Sequence, residues 1–95
     1  MLANPIDARR ALVIVAIEKT LLDTSRFTYD QVQDMLYYKY HCYFANCVDH
    51  PEYLIDILRE VLGNSFVNVV KSIHNNLEEF AYQQPVSEFL VALGA

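Results

Sequence analysis

Ninety-five residues, 54% of them hydrophobic and including seven Tyr and five Phe, make one domain with a single core. So short a chain buries proportionately little of its surface, and the apolar surplus predicts a homo-oligomer, or a protein partner. The net charge is −5 and the basic residues Arg9, Arg10, Lys19, Arg26, Lys39, Arg59 and Lys71 are scattered, which argues against nucleic acid or anionic lipid as the partner.

At the N-terminus, Asn4, Pro5 and Asp7 supply an N-cap, a proline in the first turn and an acid beside it, predicting a helix over 5–23. Arg9 and Arg10 followed by the apolar run 11–17 imitate a signal peptide only faintly, because Glu18 and Lys19 come next without a small-residue cleavage pattern. The run is also too short to span a bilayer, so the expectation is a cytoplasmic protein with no membrane association. A helix middle that is apolar all round is enclosed by neighbours, which makes the segment with Val13 and Ile17 the central element or a dimer seam.

Thr28 with Gln31 reads as a capping box, and Val32, Met35, Leu36 and Tyr40 follow at helical spacing, giving a second helix over 29–40. Asp49 with Glu52 repeats the box ahead of a third helix over 50–62, with Pro51 in its first turn and Gly63 as its left-handed end. Asn64 or Ser65 caps a fourth helix over 65–82, whose Phe66, Val69, Val70, Ile73, Leu77, Phe80 and Ala81 form one stripe. Pro85 opens a fifth over 85–93. The predicted fold is all-α, a single compact domain of about five helices.

The segment 37–52 concentrates the unusual chemistry. His41, Cys42, Cys47 and His50 are candidate soft-metal ligands, but adjacent His41 and Cys42 reach one ion poorly and no second cluster exists to complete a tetrahedron. The four-residue gap between Cys42 and Cys47 also suits a disulfide, and two free thiols are the plainer outcome. Tyr37, Tyr38, Tyr40, Tyr43 and Phe44 are candidate interface residues, since tyrosine buries its ring and leaves its hydroxyl at the wet edge. Base stacking is the weaker reading, because Lys39 is the only cation among them.

Glu52, Asp56 and Glu60 align on one face of the third helix, a solvated stripe open to a basic partner patch or to Arg9 and Arg10. No nucleophile elbow exists, since Gly63 and Ser65 are followed by Val67 where the motif needs glycine, and two glycines leave no phosphate-cradling loop. His74 beside the apolar stripe reads as a surface or satisfied histidine. No catalytic residue and no cofactor is implied.

The run Asp49, His50, Pro51, Glu52, Tyr53, Leu54, then Leu58, Val61, Leu62, Gly63, Asn64, Ser65, with Val69, Val70 and Ile73 beyond, resembles a family of small archaeal helical proteins. That family is related to the Nitrosopumilus output domain found at the ends of signalling proteins, and the resemblance extends over about 8–82. It implies a cytoplasmic, all-helical domain that associates with itself or with partners, and it supplies no catalytic residues. The expectation is therefore a non-enzymatic, homodimeric interaction domain in a regulatory or signalling-output role. Its alternatives are a metal-binding or redox-responsive domain built on Cys42 and Cys47, and a DNA-binding transcriptional regulator.

Overall fold

Helix signals dominate this chain, and helices are what it forms. A computed structural model describes residues 5–94, with side chains for 10–83 and 86–94. Among the described residues the order is α1 (Pro5–Thr24), α2 (Arg26–Tyr40), a 3-10 turn (Phe44–Val48), α3 (Pro51–Leu62), a second 3-10 turn (Gly63–Ser65), α4 (Phe66–Leu77), a third (Glu78–Phe80) and α5 (Gln84–Leu93). The Cα radius of gyration of 12.6 Å is what a compact chain of this length adopts.

α1 is the central element and packs against α2, α4, α5 and the first 3-10 turn. Val13, Ala16, Ile17 and Leu21 face inward, whereas Val15 and Leu22 on the opposite side are exposed. Val32 and Leu36 of α2, Leu54, Ile57 and Leu58 of α3, and Val69, Val70, Ile73 and Leu77 of α4 meet them. Val86, Phe89, Leu90 and Leu93 of α5 complete the core. At the edge of the core the exposed Asn76 side-chain amide donates to the hydroxyl of buried Thr20, at 2.8 Å.

Several helix ends depart from the sequence expectation. Asn4, the expected first cap, lies outside the described residues. α2 starts three residues early, because Ser25 takes the extended cap conformation and its hydroxyl accepts the Thr28 N–H at 2.9 Å. Thr28 is therefore buried in the first turn rather than capping it. At the other end the left-handed residue is His41 (φ 54°), with the His41 N–H reaching the Tyr37 carbonyl and the Cys42 N–H the Leu36 carbonyl, an αL closure made without glycine.

Asp49 closes the first 3-10 turn in helical backbone, with its side chain on Arg10, so His50 is the residue that precedes α3, and it makes no side-chain cap. Gly63 ends α3 at φ 58° and ψ −130°, a region that only glycine occupies without strain. Ser65 does not cap α4: the preceding 3-10 turn keeps its backbone helical, whereas a capping side chain needs an extended residue. The single helix expected over 65–82 breaks after Leu77 into the third 3-10 turn, following the poor helix formers Asn75 and Asn76.

Candidate functional site

The residues of the 37–52 segment divide between packing and display. Phe44 is buried in the core with its ring 5.5 Å from Tyr29. Tyr40 is half-buried and stacks on Tyr53 at 4.2 Å and 10°, and His50 stacks on the same tyrosine at 4.7 Å and 12°. These three rings join the end of α2 to the start of α3. The Tyr40 hydroxyl and the Lys39 ammonium both donate to one Asp56 oxygen, and Lys39 also pairs with Glu60 at 3.6 Å.

Asp56 and Glu60 of the acidic stripe are therefore answered from within the chain by Lys39, and Glu52 lies 3.2 Å from the His50 ring; Arg10 turns to Asp49 instead, and the Arg9 side chain lies outside the described residues. The hydrogen bonds from Lys39 and Tyr40 hold the Asp56 carboxyl below the usual carboxylate range, and the same bonds raise both donors. Arg10 does likewise to Asp49.

Cys42 and Cys47 are free thiols, so the candidate disulfide is not formed. The Cys42 thiol donates to the Tyr40 carbonyl at 3.2 Å, and the Cys47 thiol lies 3.8 Å from the Tyr43 carbonyl. Burial, reinforced by Cys42 and Glu52, pushes Cys47 up to about 12, which suppresses the thiolate that metal binding and redox chemistry both need. Among the described residues no three His, Cys, Asp or Glu side chains gather around one point where an ion could sit. The His41 ring lies edge-on to Tyr37, and the His50 ring stacks on Tyr53 with its Nδ1 3.2 Å from a Glu52 carboxylate oxygen.

Of the candidate interface residues, Val13, Ile17 and Phe44 belong to the core and offer a partner nothing. Tyr37 and Tyr43 are exposed and lean on each other at 5.6 Å. Tyr38 is 86% exposed, and Phe27, which sequence reasoning did not single out, is 74% exposed. The two lie on one line of α2, since eleven residues make almost a whole number of helical turns. That line, with Gln31 and Asp34 between them, is opposite the buried Val32 and Leu36. Its signal in the sequence was an aromatic three turns before Tyr38 on the polar side of the helix.

α3, α4 and the end of α5 enclose a groove of about 720 Å³ with Arg59, Lys71 and His74 along it. Its apolar wall comes from Ile55, Val70 and Leu93.

No family model, curated protein or solved structure matches this chain. Among the described residues no helix is long and apolar enough to cross a membrane.

Proposed function

We propose that this chain is a non-enzymatic, homodimerising interaction domain that uses the outer row of α2, in keeping with the regulatory role its resemblance to signalling output domains implies. The observation that carries this reading is the pair Phe27 and Tyr38, each presented to water on the side of α2 opposite the core. A large aromatic left in water forfeits the stabilisation its burial would bring, and aromatic side chains are enriched at interface centres.

The occupant is a second copy. In an antiparallel α2 pair about a two-fold axis midway along the row, Phe27 of one protomer faces Tyr38 of its partner and Gln31 faces Asp34. The row is thus complementary to itself, as an isologous interface requires. Arg26 is already paired with Asp30, and Lys39 with Asp56, so the flanking cations meet across the axis with their charge partly answered. Each aromatic brings on the order of 150–250 Å² of surface, and Tyr37 and Tyr43 extend the patch at its end.

Light scattering on a size-exclusion column tests this directly: the expected mass is twice the 11.0 kDa of one chain, and Tyr38→Asp with Phe27→Asp reduces it to one chain while helicity is retained. A wild-type monomer at tens of micromolar overturns the proposal.

A further inference from the structure

We infer that the groove between α3, α4 and the end of α5 binds a soluble anionic amphiphile, a single apolar chain with a carboxylate head. Charge is the first argument. Lys19, Arg26 and Lys39, like Arg10, each pair with a carboxylate of this chain. Among the described residues neither Arg59 nor Lys71 has a carboxylate at salt-bridge distance, and both line this groove. On a chain with a net charge of −5, the two described cations with no carboxylate at salt-bridge distance border the same space.

Shape and polarity are the second argument. The groove holds about 720 Å³, within the range of small-molecule sites. Ile55, Val70 and Leu93 give it an apolar wall, so a head group alone would leave most of it wet. The Arg59 guanidinium lies 5.0 Å from the centre of the Phe66 ring, which steadies a cation that Asp56 attracts without reaching salt-bridge distance. His74 adds a polar group on the same helix face as Lys71. The C-terminal end of α5, near Gly94, carries the negative end of the helix dipole and disfavours an anion, so the head lies toward Lys71 and Arg59 and the apolar chain runs along Val70 and Leu93.

Isothermal titration with dodecanoate below its micelle concentration, alongside dodecanol and dodecyltrimethylammonium, tests the inference. Dodecanoate is expected to saturate one site per chain and to bind roughly tenfold or more tightly than either analogue, as expected for charge-assisted contacts. The double substitution Arg59→Gln with Lys71→Gln is expected to remove that preference while the melting curve shows an intact fold. NMR methyl shifts on adding dodecanoate are expected at Ile55, Val70 and Leu93. Equal binding of the three ligands, an unaffected double variant, or shifts confined to α2 each overturn the inference. Uptake of the protein only by anionic phospholipid vesicles, with no dodecanoate binding, overturns it too.

Discussion

Arg10 holds Asp49 with both terminal guanidinium nitrogens, at 2.7 and 2.9 Å, and fastens α1 to the turn ahead of α3, 39 residues further along the chain. One of those nitrogens also reaches the Ala45 carbonyl at 3.4 Å. The pair explains why Asp49 does not cap α3. Asp49 is 60% exposed at its side chain, so solvent screens the attraction, and Asp49→Asn is expected to cost no more than about 1 kcal/mol. Urea denaturation at low and high salt checks this, with the difference between wild type and variant shrinking as salt rises.

Asp49 and Asp56 share an acid sensitivity whose direction follows from their depressed pKa values. A carboxyl with a lower pKa folded than unfolded contributes stability that is complete above the unfolded value, about 3.9, and is lost as pH falls through the folded one. The urea midpoint is therefore expected to hold from neutral pH down to about 4 and to fall below it. Asp49→Asn with Asp56→Asn should flatten that fall. On the alkaline side the raised Lys39 and Tyr40 act oppositely, with stability lost as pH rises through their folded values. A double variant as acid-sensitive as wild type would show that other carboxylates govern acid unfolding.

The core of this fold was legible because burial repeats at helical spacing: of the stripe read from Phe66 to Ala81, Val69, Val70, Ile73 and Leu77 are buried, while Phe66, Phe80 and Ala81 at its ends are half-buried. Ends were less legible, because caps depend on which polar group wins a local competition. Ser25 outcompetes Thr28 for the start of α2 by reaching the extended backbone conformation first, and Asp49 is lost to an arginine distant in sequence. The groove was invisible for a related reason. Arg59 and Lys71 stand out only when the partners of the other cations are known, and pairing across helices does not show in spacing.

His41 in the left-handed region carries a backbone cost that glycine would not. The residue closes α2 at φ 54°, and an L side chain there is disfavoured by roughly 1–2 kcal/mol. His41→Gly relieves that strain but gives up the edge contact with Tyr37 and adds freedom to the unfolded chain. The expected net effect is a gain of about 0.5–1 kcal/mol, read as a higher urea midpoint at unchanged slope. A loss of stability instead would mean that the contact of His41 with Tyr37 outweighs the strain.

The proposed dimer contact on the outer row of α2 and a seam on α1 predict different outcomes for two kinds of substitution. Ile17 is fully buried, so Ile17→Ala is expected to cost about 2–5 kcal/mol in chain stability beyond any concentration-dependent effect. Tyr38→Asp is expected to leave the single-chain fold intact and to act on association alone. Denaturation at several protein concentrations distinguishes them, since only association makes the midpoint rise with concentration. Were Ile17→Ala to abolish the concentration dependence at unchanged monomer stability, the seam would lie on α1 after all.

The two cysteines should behave differently toward a thiol reagent. Cys47 is fully buried and pushed up to about 12, so almost none of it is thiolate near neutral pH, and the thiolate is the attacking species. Cys42 is half-buried with its thiol on the Tyr40 carbonyl. In native protein at neutral pH, Ellman's reagent is expected to modify Cys42 first and Cys47 only on the timescale of unfolding. A Cys42→Ser variant should then show no fast phase. If instead Cys47 reacted as fast in folded protein as in urea, its surroundings would have to open without global unfolding, and the redox role considered for this pair would regain its footing.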